Sequence, residues 1–289
     1  MKNLLSLKDL KKEDIEKLFE ITKKVKRKRS EDLFEKTLIL YFEKPSTRTI
    51  ISFYVAMVEL GGDAIFLTPN EMQIGRGETI SDTAKVLSRY ANGIVARTYK
   101  HKTIVDIARH STIPVINGLS DLYHPCQILA DLFTVLEKRS TLDLNFAWIG
   151  DGNNVCNSWI QAANIMNFSL SVATPKGYEP KEKLGKVRLL HDPKKAIRNA
   201  DVVMTDTWIS MGEEKEEKVR NKIFKPFQVN SKLVKLAKKD YLFMHCLPAH
   251  RGYEVTKEII DGKHSIVFDE AENRLHVQKA LLLYLLGKI

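Results

Sequence analysis

Short apolar runs alternate along the chain with longer segments in which apolar residues recur every three or four positions. The short runs predict β-strands, and the longer segments predict amphipathic helices. In the first half of the chain, the predicted strands are residues 37–42, 63–67, 93–96 and 114–116. Strands that alternate with helices in this way are typical of α/β proteins with parallel sheets.

The same alternation resumes after an interruption. A helix predicted from about Pro125 to Lys138 is followed by a linker-like segment, residues 139–144. Further strands are predicted at residues 145–149, 169–173, 202–205, 241–244 and 265–268. The break predicts two doubly wound parallel-sheet domains, residues 1–138 and 139–271. Residues 212–222 are rich in lysine and glutamate and predict a mobile surface loop, and the apolar residues 276–289 predict a docked terminal helix.

Composition and charge narrow the class of protein only partly. Of the 289 residues, 44% are hydrophobic and 28% charged, which suits folded domains with substantial cores. The formal net charge of +10 is compatible with nucleic acid, a membrane surface or small anionic substrates. The densest basic run, residues 23–29, contains no aromatic residue on which bases could stack, so a solvated helix end is favoured over a nucleic-acid patch.

The cysteines and the N-terminus favour a cytoplasmic location. The chain contains three cysteines and no C-x-x-C pair, which fits reduced thiols. The first residues lack the apolar region of a signal peptide, and no apolar stretch approaches the length of a membrane span.

Polar clusters follow several predicted strands at their C-terminal ends, where open α/β sheets bind ligands. These clusters are residues 46–49, 96–98, 150–154, 206–212 and 245–248. Pro45 ends the first strand, and Ser46 is a suitable N-cap for the next helix. Residues 46–49 would then present N–H groups, hydroxyls and a guanidinium to an anion such as phosphate. An ordinary Ser-capped helix with an exposed arginine explains the residue types equally well.

Three other clusters have competing interpretations. Gly150 and Gly152 begin a dinucleotide-type turn, but Val155 occupies the position of the third glycine, so NAD is weakly supported. Alternatively, Asn153 and Asn154 direct their amides into the cleft, or the segment is a plain polar turn. His124 and Gln127 lie on one helical face and could both donate to a carbonyl oxygen, although a capping or core histidine is the common alternative. Cys246 lies beside two histidines, yet the spacing matches no closed structural zinc site. We expect neither a metal nor a cofactor.

Taken together and in this order, the clusters resemble those of the aspartate/ornithine carbamoyltransferases. The segments STRT (46–49), HPCQ (124–127) and ENR (272–274) are similar to the carbamoyl phosphate signature of that family. DTWISMG (206–212), HCLP (245–248) and residues 73–90 are similar to its ornithine-specific branch. The resemblance implies that a terminal helix, residues 272–289, returns to a carbamoyl phosphate-binding domain, 1–138, and that residues 139–271 bind ornithine. It also implies a homotrimer or a multiple of trimers.

The resemblance further implies transfer of the carbamoyl group of carbamoyl phosphate to the δ-amine of L-ornithine in arginine biosynthesis, or the reverse reaction. The implied carbamoyl phosphate ligands are Ser46, Thr47, Arg48, Thr49, Gln73, Arg97, His124, Gln127, Cys246, Leu247 and Arg274, with Gln73 donated to a neighbouring subunit. The implied ornithine ligands are Asn154, Asp206, Ser210 and Met211. The implied catalytic residues are Arg97, His124, Asp206 and Cys246.

One position departs from the family pattern, because Ile50 stands where the family usually has a fifth residue, arginine, after S-T-R-T. Other acceptors, namely putrescine, N-acetylornithine and aspartate, remain alternatives to ornithine. The DTWISMG segment favours a free amino acid with a basic side chain, and HCLP disfavours aspartate. A basic phosphate- or nucleic-acid-binding protein without catalysis is the alternative from another class, although it leaves HPCQ, SMG and HCLP unexplained.

Overall fold

A computed structural model describes residues 3–209 and 214–287 of the chain. The chain divides into two compact units, Met1–Phe133 with Glu272–Ile289, and Thr134–Ala271. In each unit, helices connect the strands of one parallel sheet. The predicted fold class, α/β with two parallel sheets, is confirmed.

The first unit contains a four-stranded parallel sheet in the order β2-β1-β3-β4. Its strands are β1 Thr37–Phe42, β2 Asp63–Leu67, β3 Gly93–Arg97 and β4 Val115–Leu119. Its helices are α1 Lys12–Val25, α2 Thr47–Glu59, α3 Ile80–Tyr90, α4 His101–His110 and α5 Pro125–Arg139, which continues into the second unit. Single turns of 3-10 helix lie at Leu7–Asp9 and Gln73–Arg76. The central strand β3 is buried along its whole length, as expected for a parallel strand covered by helices.

The second unit contains a five-stranded parallel sheet in the order β7-β6-β5-β8-β9. Its strands are β5 Asn145–Ile149, β6 Ser169–Ala173, β7 Arg188–Leu190, β8 Val202–Met204 and β9 Leu242–Met244. The helices that follow β5 are α6 Asn154–Met166, α7 Pro193–Ile197, α8 Glu217–Phe224, α9 Ser231–Val234, α10 Lys257–Ile260 and α11 Val267–Leu285. Glu214–Glu216 and Lys225–Phe227 form 3-10 turns on either side of α8.

Most of α11 belongs to the first unit, so the predicted return of the terminal helix is confirmed. Lys279 of this helix is fully buried. Its Nζ atom donates to Glu59 Oε2 at 2.7 Å and to the carbonyl oxygen of Val25 at 3.0 Å. A buried ammonium is stable only when it is paired and hydrogen-bonded, and these contacts join α11 to the ends of α1 and α2.

Two predictions from the apolar pattern are wrong. Residues 265–268 do not form a strand, because α11 begins at Val267 and Ser265 makes only an isolated bridge with Phe243. The predicted loop at residues 212–222 is helical from residue 214 onward, in the 3-10 turn and α8, while Gly212 and Glu213 lie outside the described residues. Glu216 and Arg220 form an i,i+4 ion pair at 2.9 Å, which suits a helix.

One face of α2 is largely exposed. Phe53 and Met57 of this helix are buried, but Ile51, Tyr54 and Val58 are 55%, 48% and 43% exposed. None of the helices in residues 3–209 and 214–287 combines the length and the apolar character needed to cross a bilayer.

Candidate functional site

The N-terminus of α2 forms the first part of the candidate site. Ser46 adopts an extended conformation as the N-cap, and its Oγ accepts a hydrogen bond from the N–H of Thr49 at 3.3 Å. The predicted capping role of Ser46 is therefore confirmed. Thr47 is exposed and Arg48 half-buried in the first turn, where backbone N–H groups and the helix dipole favour an anion.

Three elements of the first unit meet behind this turn. From α11, the guanidinium of Arg274 donates through Nη2 to Thr49 Oγ1 at 2.6 Å and through Nη1 to Gln127 Oε1 at 3.0 Å. Gln127 lies in the first turn of α5, and all three side chains are buried. The STRT, HPCQ and ENR segments thus contribute neighbouring side chains.

His124 lies among positive charges in the same unit. It precedes α5 and is 3% exposed, while Arg97, at the end of β3, is also buried. Burial, together with the charges of Arg274, Arg97 and Arg48, holds the pKa of His124 well below its usual value. The imidazole is therefore neutral at pH 7, and the cationic charge of this cluster comes from arginines, which suit a dianionic phosphate.

Gln73 occupies a different setting. It lies in the 3-10 turn Gln73–Arg76 with an exposed side chain. Among the described residues, no hydrogen bond joins it to the cluster around His124. Its predicted contribution to a neighbouring subunit remains a prediction.

In the second unit, Asp206 is held at both of its carboxylate oxygens. It lies two residues beyond β8 and is 7% exposed. Asn153 Nδ2 donates to Asp206 Oδ2 at 2.7 Å, and Cys246 Sγ donates to Asp206 Oδ1 at 3.2 Å. Asn153 is also the N-cap of α6, and its Oδ1 accepts from Val155 N at 3.0 Å. Asn154 is the first residue of that helix.

The HCLP segment is held by a buried His–Glu pair. His245 Nδ1 accepts the N–H of Leu247 at 2.9 Å, so the proton of the neutral ring resides on Nε2, which lies 3.1 Å from Glu254 Oε1. Both side chains are fully buried. Leu247 adopts a left-handed φ of 57°, a conformation that is costly for a branched residue, and the hydrogen bond to His245 stabilises it.

Asp206, His245 and Cys246 each offer a potential metal ligand, and these atoms lie within 4.8 Å of one another. In the present arrangement each of the three is already engaged in a hydrogen bond, as described above. Hydrogen bonds within the protein therefore hold all three side chains in place. The predicted ornithine ligands Ser210 and Met211 lie outside the described residues.

Sequence reasoning did not assign roles to several partners of the predicted residues. Asp131, which accepts from Gln127, lies four positions along α5, so helical spacing could have suggested the pair. Glu254 lies nine positions from His245, with both residues outside helices and strands, and Asn153 bonds to Asp206 53 positions away, so no local periodicity indicates either pair.

A parallel α/β chain with a buried arginine cluster at a strand end belongs to the class of α/β proteins that bind phosphorylated ligands. Two family models agree with this class. The carbamoyl-P binding domain of aspartate/ornithine carbamoyltransferase matches residues 2–137, and the Asp/Orn binding domain matches residues 142–285.

Individual relatives match over the full length. An ornithine carbamoyltransferase of Archaeoglobus fulgidus is 51% identical over 302 residues, covering 100% of this chain and 98% of that protein. The solved structure of ornithine carbamoyltransferase from Pyrococcus furiosus has a TM-score of 0.96 at 51% identity and covers 100% of this chain and 98% of the other. The anabolic ornithine carbamoyltransferase of Campylobacter jejuni has a TM-score of 0.95 at 43% identity, with 100% of both chains covered.

The chain belongs to the aspartate/ornithine carbamoyltransferase family, and the predicted family and enzyme class are confirmed.

Proposed function

We propose that this chain transfers the carbamoyl group of carbamoyl phosphate to the δ-amine of L-ornithine, giving L-citrulline and phosphate. The observation that carries this proposal is the buried cluster of Thr49, Gln127 and Arg274 beside a neutral His124. Such a cluster offers cationic donors for the phosphate and neutral donors for the carbonyl group of an acyl phosphate. Full-length similarity to ornithine carbamoyltransferases supports the choice of substrates.

Carbamoyl phosphate binds to the first unit, which we assign as the carbamoyl phosphate-binding domain. Ser46, Thr47 and Arg48 hold the phosphate at the N-terminus of α2, where dipole and charge favour it. Arg97 and His124 donate to the carbamoyl oxygen. The neutral imidazole can polarise this carbonyl through its N–H without adding another positive charge to the arginine-rich site.

Ornithine binds to the second unit, which we assign as the ornithine-binding domain. The carboxylate of Asp206 is acceptor-only, so it attracts an amino group of the substrate. Its two hydrogen bonds, from Asn153 and Cys246, fix the direction of the carboxylate. We assign Asn154, Ser210 and Met211 as further ornithine ligands. In this proposal, Cys246 and Leu247 lie beside the reacting amine.

The chemical step is a direct transfer. The deprotonated δ-nitrogen attacks the carbamoyl carbon, and a carbon–nitrogen bond forms. The bond from that carbon to the bridging oxygen breaks, so phosphate leaves with the electron pair and takes up the proton that the nitrogen loses. Donors from Arg97, His124 and Thr49 stabilise the developing oxyanion, and positioning with electrostatic stabilisation supplies the rate enhancement.

We also propose that the chain works as a homotrimer, or a multiple of trimers, in the cytoplasm and in the direction of arginine biosynthesis. The exposed residues Ile51, Tyr54 and Val58 recur on one face of α2, and Ile65 and Phe66 are exposed on the edge strand β2. An apolar face next to an unpaired strand edge is unfavourable in water, and a subunit contact would cover both. In such a trimer, Gln73 would reach the carbamoyl phosphate-binding site of a neighbouring subunit.

Steady-state kinetics with carbamoyl phosphate and four acceptors tests the proposal. We expect citrulline from ornithine with a kcat/KM at least about a hundredfold above those of putrescine, N-acetylornithine and aspartate, because a buried polar site rejects substrates that leave it unpaired. A preference for any of the other three acceptors would overturn the choice of ornithine. DNA affinity that falls steeply with salt, without citrulline formation, would support the non-catalytic alternative.

A further inference from the structure

A buried carboxylate lies directly behind the proposed carbamoyl phosphate ligands. Asp131 of α5 is 2% exposed, and its Oδ1 accepts a hydrogen bond from Gln127 Nε2 at 2.8 Å. Gln127 in turn accepts from Arg274, which donates to Thr49. Asp131, Gln127, Arg274 and Thr49 therefore form one continuous series of hydrogen bonds, which we call the buried relay.

The chemistry of its two ends determines the orientation of the amide in the relay. A guanidinium only donates, so the atom of Gln127 that faces Arg274 must be the carbonyl oxygen. A carboxylate only accepts, so the atom that faces Asp131 must be the amide nitrogen. With both partners present, the reversed amide would place N–H against N–H at one side and oxygen against oxygen at the other.

The same logic continues to Thr49. Because Arg274 has no acceptor, the Thr49 hydroxyl uses a lone pair toward it, and its own hydrogen points in another direction. Thr49 belongs to the first turn of α2, which we assign as part of the carbamoyl phosphate-binding site. The relay thus makes the Thr49 hydroxyl a donor and holds the Arg274 guanidinium with two of its nitrogens engaged.

The carboxylate of Asp131 also strengthens its contact with Gln127. It is a buried acceptor on α5, 2.8 Å from the Gln127 amide nitrogen. Hydrogen bonds to a charged group are shorter and stronger than those between neutral groups. The Asp131 carboxylate therefore holds the Gln127 amide more firmly than a neutral acceptor would.

We propose that Asp131 is a positioning residue for carbamoyl transfer, acting through Gln127 and Arg274 to set the donors that face the carbamoyl end of the substrate. This inference rests on the proposed function. It separates the carbamoyl end, which depends on the relay, from the phosphate end, which depends on Ser46, Thr47 and Arg48 outside it.

Initial-rate kinetics of two variants test this separation. Asp131→Leu keeps similar volume and removes the acceptor, whereas Asp131→Asn keeps an acceptor and removes the charge. We expect Asp131→Leu to raise the KM of carbamoyl phosphate at least about tenfold and to lower kcat, since a hydrogen bond to a charged group is lost. The inhibition constant of inorganic phosphate, which lacks a carbamoyl group, should change less than about threefold. Asp131→Asn should show a smaller change of the same kind.

Glu137→Gln is the matched control, because Glu137 is an exposed carboxylate of the same helix. The KM of carbamoyl phosphate and the inhibition constant of phosphate in this variant should equal those of the wild type.

If the KM of carbamoyl phosphate and the inhibition constant of phosphate rise together in Asp131→Leu, Asp131 has only a general structural role and the proposal is wrong. Unchanged constants in a folded Asp131→Leu variant would also overturn it. Phosphate-induced thermal stabilisation reports folding and phosphate binding if the variant is too slow to assay, and loss of that stabilisation would again contradict the proposal. A wild-type chain that forms no citrulline would instead refute the proposed function.

Discussion

The thiol of Cys246 donates a hydrogen bond to Oδ1 of Asp206 at 3.2 Å, across 40 positions of sequence. The two residues follow the neighbouring parallel strands β8 and β9, so the sheet brings them together. The carboxylate of Asp206 therefore has a fixed direction before any substrate arrives. In our proposal this direction determines how the amine of ornithine is held.

Replacement of Cys246 tests that role. Cys246→Ala removes the donor and lets the Asp206 carboxylate rotate, so we expect the KM of ornithine to rise about tenfold, equivalent to about 1.4 kcal/mol. Cys246→Ser retains a donor and should stay within about threefold of the wild type. The KM of carbamoyl phosphate is the reference and should rise less than that of ornithine in Cys246→Ala, because the lost hydrogen bond acts on Asp206. Equal losses in Cys246→Ala and Cys246→Ser would show that the hydrogen bond is not what matters.

The arginine of the first turn of α2 should act on the other substrate. We expect Arg48→Ala to raise the KM of carbamoyl phosphate about a hundredfold, because a charge-assisted contact with phosphate is lost. The KM of ornithine should change little. Arg29→Ala, which removes an exposed arginine of the same unit, is the control for the change in net charge. Normal saturation of Arg48→Ala by carbamoyl phosphate would contradict the phosphate assignment.

His124 should make stability depend on pH. Its folded-state pKa is lowered by burial and by Arg274, Arg97 and Arg48, so on acidification the unfolded chain takes up the proton first. The stability associated with the neutral ring is present above about pH 6.5 and is lost as the pH falls, by about 1.4 kcal/mol per pH unit for one proton.

The thermal midpoint of the wild type should therefore fall more steeply between pH 7.5 and 5.5 than that of His124→Asn. Burial also lowers the pKa of His101 and His276, but both residues are retained in the variant, so the difference isolates His124. Parallel pH profiles for the two proteins would mean that folding does not lower the pKa of His124.

Arg220 should stabilise the second unit. It is buried, and its Nη1 donates to Asp151 Oδ2 at 3.2 Å and to the carbonyl oxygen of Trp208 at 3.0 Å. Arg220→Met keeps much of the aliphatic length but removes the charge opposite a buried carboxylate, which costs about 3 kcal/mol. The Tm should fall by roughly 6 °C or more.

The exposed pair of Arg251 and Asp261 provides the comparison for that variant. Arg251→Met should leave the Tm nearly unchanged, because water screens this ion pair. Equal losses of Tm in Arg220→Met and Arg251→Met would contradict the importance of burial at Arg220.

Much of the fold follows from the apolar pattern. The bounds of β1, β2, β5 and β6 agree with the predictions, because parallel strands within an α/β unit appear as short apolar runs between turns. The same pattern fails at residues 265–268, where a short apolar run begins a buried helix instead of a strand. This run is rich in β-forming residues, so its composition did not distinguish a helix from a strand. Only the length of α11, which continues from the run, makes that distinction.

The candidate site could be predicted only in part. The segments at strand ends indicate which residues bear the chemistry, but not which side chains meet. Thr49 and Arg274 are 225 positions apart, and no local periodicity joins them. The exposed apolar residues of α2 contact another copy of the chain in the proposed trimer, and a pattern within one chain does not distinguish such a contact from the core.

Carbamoyl phosphate labelled with carbon-13 at the carbamoyl carbon tests the central claim most directly. With the purified chain and ornithine, NMR should show the label moving into the ureido carbon of citrulline, with one phosphate released for each citrulline formed. Without ornithine, the label should disappear no faster than it does in buffer. Label recovered only as bicarbonate, or consumed at the uncatalysed rate in the presence of ornithine, would contradict carbamoyl transfer by this protein.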